Sequence, residues 1–239
     1  MKPLALALAA FMAVLAQGAP TDPAAILAAT REALGGDKKL SAVKTIVATG
    51  RTQQVRGDNL VPIEFEIDIE LPDKYVRRDE IPAQESGLST AGFTGETLIR
   101  TKAPLVKQDF GRLMVGLFAA SFAGYPLSFS YAGQAEAPQG KADVLEAKGA
   151  DVTMRVFIAQ MTHLPIMISW QAPAAPARGG QPATASPQET RLFFADYRDV
   201  DGIKWPFRLR RALGADTVEE TTFDRFRINA KIDPKKFQP

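Results

Sequence analysis

Over residues 63–71 the chain alternates without a slip. Ile63, Phe65, Ile67, Ile69 and Leu71 are apolar, and Glu64, Glu66, Asp68 and Glu70 between them are acidic. Side chains of a strand point to opposite faces in turn, so this stretch predicts a long strand with one apolar and one acidic face. Thr45–Arg56 precedes it and ends at the turn cluster Gly57-Asp58-Asn59, which predicts a hairpin. Pro72-Asp73 breaks the second strand, and Lys74–Glu80 starts a third. Shorter strands are expected at 88–93 and 97–101, with a turn at Thr94-Gly95-Glu96.

Strands resume at 127–136, 142–148, 152–159 and 164–171. A last group covers 191–199, a turn at Asp201-Gly202, an alternating strand and 217–229. In that alternating strand Ile203, Trp205, Phe207 and Leu209 interleave with Lys204, Arg208 and Arg210. A turn at Gly214-Ala215-Asp216 follows it. The total is about ten or eleven strands with sequential turns and no internal repeat. That pattern points to one sheet curled around a core, mainly β with few helices (α+β). Residues 172–188 are rich in Pro, Ala and Gly without periodicity and are expected to form a mobile loop between two strands rather than a domain linker.

Two helices are expected where the period changes. Asp22 caps, Pro23 sits in the first turn, 24–34 continues and Gly35-Gly36 stops it; a short turn over 38–44 leads into the first strand. Residues 109–123 differ in kind. Phe110, Leu113, Met114, Leu117, Phe118 and Phe122 fall at helical spacing, and only Asp109, Arg112 and Ser121 are polar. A helix apolar on nearly every side is buried on more than one, and the inside of the curved sheet is the natural place. The apolar strand face and this helix are the composition of an acyl-binding cavity, and equally of a filled core. If a cavity is there, Phe65, Ile67 and Ile69 of the strand, Phe110, Met114, Phe118 and Phe122 of the helix, and Trp205 are its expected lining.

The N-terminus reads as an export signal. Lys2 is followed by an uncharged apolar run over 4–15 and then Ala16-Gln17-Gly18, which predicts cleavage after Gly18. The run is about a dozen residues, short for a bilayer of roughly 30 Å. Removing 18 of 239 residues leaves 221 and, with Lys2 gone, takes the net charge from +2 to +1. Residues 19–239 are expected to form a single β domain, periplasmic and monomeric. A near-neutral chain offers no electrostatic footprint for nucleic acid. There is no cysteine, hence no disulfide, thiolate metal site or lipoprotein acylation site.

Catalytic chemistry lacks parts. His163 is the only histidine and stands beside Leu164-Pro165, as a turn residue would. Ser41-Ala42-Val43-Lys44 matches a Ser-x-x-Lys pattern without its companion motifs. Asp196, Asp199 and Asp201 lack calcium-loop spacing, and Asp201-Gly202 suits a hairpin turn. The carboxylates of Glu64, Glu66, Asp68 and Glu70 are expected to face outward, opposite Arg and Lys of neighbouring strands. No Gly-rich phosphate loop is present. No cofactor, metal or catalysis is expected.

The order of features resembles the periplasmic outer-membrane lipoprotein carrier (LolA-like) family over most of the chain. Leu71-Pro72-Asp73-Lys74-Tyr75-Val76-Arg77 resembles its strand entry, Ala91-Gly92-Phe93-Thr94-Gly95-Glu96-Thr97-Leu98 its hairpin with Ile99 at the Trp position, and Ile232-Asp233-Pro234-Lys235-Lys236-Phe237 its closing segment. Residues 193–210 and Arg31-Glu32-Ala33-Leu34-Gly35-Gly36 resemble its uncharacterised exported relatives. The resemblance implies a half-open barrel with helices on its concave side that carries acyl chains, with a lipid or lipidated protein as ligand and a membrane protein that loads or receives it. One departure is Leu71, where proteobacterial carriers have an Arg tied to lipoprotein transfer. The alternatives are an envelope sensor or interaction module on the same fold, or a hydrolase of unfamiliar chemistry.

Overall fold

The computed structural model describes residues 22–82, 88–100, 105–121, 126–137, 140–149, 152–172 and 188–238. The signal segment, most of the 172–188 stretch and Phe122 lie outside them. The chain enters through α1 (Pro23–Leu34) and α2 (Asp37–Ala42). Asp22 caps α1 by accepting the Ala24 N–H at 2.9 Å, and Gly35, at φ 138, ends it.

Twelve strands follow: β1 (Thr45–Arg56), β2 (Asn59–Glu70), β3 (Lys74–Glu80), β4 (Ser89–Thr94), β5 (Thr97–Ile99), β6 (Ser128–Ala137), β7 (Gly140–Lys148), β8 (Thr153–Ala159), β9 (Pro165–Ala172), β10 (Gln188–Val200), β11 (Ile203–Leu213) and β12 (Asp216–Ile228). They form one antiparallel sheet in the order β5-β4-β3-β2-β1-β12-β11-β10-β9-β8-β7-β6. Every neighbour is a hairpin partner except β1 and β12, where the two ends of the chain meet. The expected count was one or two low. β2 also begins four residues before the alternation does, because the tight Gly57-Asp58 turn pairs Arg56 with Asn59.

The sheet curls but does not close, since β5 and β6 are its two edges. Register shifts at Thr49/Gly50 on β1, Arg211/Ala212 on β11, Tyr131/Gly133 on β6 and Phe157/Ile158 on β8 bend it, as extra residues in one strand do. From β5 the chain must cross the open side to reach β6, and α3 (Leu105–Phe118) lies in that crossing, packed against β4 and β9. α3 therefore starts four residues earlier than the apolar periodicity indicated and stops five earlier. Arg31 of α1 ties down its end by donating from Nη1 to the Phe118 carbonyl at 3.0 Å. Gly116 sets the depth of the helix: a Cβ there would run into the buried ring of Phe194 on β10.

Pair registers divide the faces. Ile69 opposes Tyr75, Ile67 opposes Arg77 and Phe65 opposes Asp79 on the concave side. Glu66 opposes Arg78 and Glu70 opposes Lys74 on the other. The acidic face is not all solvent, contrary to the expectation. Asp68 is 0% exposed, because the C-terminal 3₁₀ turn Pro234–Phe237 folds over it, with Phe237 on Val76 and Ile99. Lys236 Nζ reaches Glu66 at 2.9 Å and Asp68 at 2.9 Å, and Arg78 pairs with both.

The two acids titrate in opposite senses. The Lys236 hydrogen bond, against some burial and aided by Arg78, holds Glu66 below its usual 4.5, whereas burial pushes Asp68 above 3.8. Glu66 thus adds stability above the unfolded-state value that disappears as pH falls through its folded value. Asp68 adds stability only at low pH, lost as pH rises. Glu66→Gln is therefore expected to flatten the fall in melting temperature between about pH 5 and pH 3. An unchanged slope would show that the cluster contributes nothing through Glu66.

Candidate ligand-binding site

Between α3 and the concave face lies a cavity of about 170 Å³. Its body is apolar: Ile67 from β2, Val106, Phe110 and Leu113 from α3, Trp170 from β9, Leu192 from β10, Leu209 from β11 and Phe223 from β12. Tyr75 of β3 stands at its wall against Phe110, with ring centroids 5.5 Å apart, and burial pushes its hydroxyl pKa up to about 12. A neutral phenol is therefore what the cavity meets at any physiological pH.

One end is polar. Arg77, Asp109, Arg112, Arg211, Glu219 and Thr221 converge there from β3, α3, β11 and β12. Arg77 is held by Asp79 at 2.6 Å and by the Thr52 hydroxyl at 3.2 Å, with its guanidinium 4.6 Å from the Phe65 ring centre. Thr52 and Thr221 hydroxyls meet at 2.9 Å beneath. A larger depression of about 500 Å³ opens on the charged face of β1–β3, lined by Arg51, Glu64, Glu66, Arg78 and Glu80. It is shallow, with Arg51 paired to Asp224 and Arg78 to Glu66 across it, so the interior cavity is the better candidate.

The expected lining residues divide. Ile67 and Phe110 border the cavity. Phe65, Ile69, Met114, Phe118 and Trp205 are buried in the surrounding core. Phe118 stands edge-on to Trp205 at 5.5 Å, and Trp205 stacks on Phe226 at 5.4 Å. Phe122 lies outside the described residues. The arginines were missed as site residues, although the same alternation carried them. Counting on by two from Leu209 reaches Arg211, and from Tyr75 reaches Arg77, so both fall on the face that Ile67 occupies.

The other motifs have local explanations. His163 adopts φ 56 in the β8–β9 turn. Lys44 Nζ approaches the Ser41 carbonyl, at 3.5 Å, rather than its hydroxyl. Asp196 pairs with Arg198 at 2.6 Å, and Asp199 accepts the Gly202 N–H at 2.9 Å. Among the described residues no three His, Asp or Glu side chains gather as a metal site requires, and no helix is long and apolar enough to cross a membrane.

An open antiparallel sheet with a helix laid across its concave side over an apolar cavity defines a LolA-like fold. Solved structures share it. A LolA superfamily protein from Nitrosomonas europaea superposes with a TM-score of 0.57 at 12% identity, over 89% of this chain and 96% of that one. A domain assigned to outer membrane lipoprotein sorting from Vibrio parahaemolyticus gives 0.58 at 11%, over 90% and 97%. A DUF1329 family protein from Desulfovibrio piger gives 0.56 at 10%, over 91% and 98%. No family model and no curated protein matches the chain. At these identities the likeness is one of fold.

Proposed function

We propose that this chain is an exported, non-catalytic carrier or binder that holds an acyl chain of a lipid or lipidated protein between α3 and the concave face of the sheet. The observation that carries this is the apolar cavity under α3, which packs against β4 and β9 on the concave side. Each buried CH₂ contributes roughly 0.8 kcal/mol, which requires no directional partner, and the walls supply aliphatic and aromatic surface. At about 170 Å³ the space is below the usual range for ligand pockets, about 300–1,000 Å³. A long chain therefore enters only as α3 moves outward. The assignment of one structural neighbour to lipoprotein sorting supports an acylated cargo, passed on by a membrane protein that loads or receives it.

Mass spectrometry of a lipid extract of the protein purified from a periplasmic fraction tests this. Co-purifying acyl chains near one per protein are expected. An extract without them, together with no binding of a fluorescent fatty-acid probe, would overturn the proposal. Recovery of the uncleaved chain in the membrane fraction would overturn its export.

A further inference from the structure

The polar end of the cavity carries more donors than the described residues satisfy. Arg112 of α3 has a side chain only 9% exposed. Its Nη1 donates to Asp109 Oδ1 at 3.0 Å and its Nη2 to Gln108 Oε1 at 3.3 Å, but its Nε–H has no acceptor among the described residues. Arg211 of β11 repeats the pattern: Nη1 reaches the other oxygen of Asp109 at 3.4 Å, and Nε is again unmatched. Both guanidinium groups lie over Trp170, 4.9 and 5.9 Å from its ring centre. One carboxylate thus serves two cations on a shared aromatic platform.

Buried guanidinium N–H groups without acceptors are costly. Burial is the main influence on Arg112 and pulls its pKa below the usual arginine value, with Asp109 opposing. The charged residues lining the cavity are Arg77, Arg112 and Arg211 against Asp109 and Glu219, a surplus of one positive charge. Arg77 has its own partners in Asp79 and Thr52. Set apart with Asp79, Arg77 leaves Arg112 and Arg211 against Asp109 and Glu219, with charges balanced; what the two arginines lack is an acceptor for each Nε–H.

We propose that the cavity selects a single-chain amphiphile with an anionic head, a carboxylate or phosphate, seated against Arg112 and Arg211 with its chain running into the apolar body. This rests on the acyl-binding proposal and narrows it. As α3 moves outward to admit the chain, an anion oxygen supplies the acceptor that each buried Nε–H lacks, and charge-assisted bonds to guanidinium are the stronger kind. From a closed cavity of about 170 Å³, one slender chain requires a smaller displacement of α3 than the several chains of a larger lipid.

Titration calorimetry of the purified, delipidated protein with dodecanoate, dodecyl phosphate and the neutral dodecyl maltoside, below their micelle concentrations, decides it. Inorganic phosphate serves as the headgroup-only arm. Both anionic probes are expected to bind at least about tenfold more tightly than the neutral one, the discrimination that a single charge-assisted hydrogen bond provides, and phosphate alone far more weakly. Arg112→Gln and Arg211→Gln are each expected to remove most of that preference. Arg211, about a third exposed, is the variant to rely on should Arg112→Gln fail to fold. Equal binding of all three chains would overturn the headgroup selection and leave the acyl-binding proposal standing, whereas no binding of any chain would overturn both. Phosphate binding as tightly as the chains would show an anion site with no role for the cavity, and a folded Arg211→Gln variant with undiminished preference would equally overturn the assignment.

Discussion

Phe118→Ala is expected to lower stability by about 3–5 kcal/mol, the range for truncating a fully packed Phe, seen as a fall of roughly 6–20 °C in melting temperature. The ring is 2% exposed and stands edge-on to Trp205, which stacks in turn on Phe226. These three side chains join the end of α3 to β11 and β12, so the void would open where helix and sheet are held together. Phe118 does not border the cavity, and the affinity for a fatty-acid probe is expected to change little by comparison. A loss below about 1 kcal/mol would mean that the ring stands at an open space in solution and that α3 is loosely seated there.

Gly116→Ala is expected to destabilise the fold although it improves the helix. Alanine is favoured over glycine inside a helix by about 1 kcal/mol. Its Cβ, however, would collide with the Phe194 ring, which is itself buried and cannot swing into solvent. Overpacking of this kind costs about 1–3 kcal/mol, so the net change should be a loss of up to about 2 kcal/mol. The relief available to the structure is to lift α3 away from β10. Chemical denaturation compared with the parent gives the sign, and a net gain in stability would show that Phe194 yields and that helix depth is not set by Gly116.

Much of the sheet was legible because its signals are local. Alternation at 63–71 placed β2, Gly57-Asp58 and Asp201-Gly202 placed two hairpins, and Asp22-Pro23 placed the start of α1. Those patterns depend on backbone geometry within a few residues. The all-round apolar helix was legible as buried, since no single contact face could cover it. Its limits were not: the helix runs Leu105–Phe118, and its last carbonyl is taken by Arg31, 87 positions away in the chain.

The division between cavity and core was settled by packing alone. Phe110 and Phe118 are indistinguishable by composition and share a helix stripe, yet one borders the cavity while the other wedges against Trp205. Asp68 sits in the same alternation as Glu64 but is buried, because residues some 168 positions later fold back across it. Arg77, Arg112 and Arg211 come from three separate elements, and no local pattern states that they will meet.

Period and turn chemistry act between near neighbours, so the class of fold, the alternation of the strands and the burial of α3 are written in the chain locally. Which apolar side chains leave space, which carboxylate loses its water and where the arginines gather are matters of packing in three dimensions. Those depend on how a curled sheet brings β3, β11 and α3 to one point, and volume and charge are counted there only once the chain has closed.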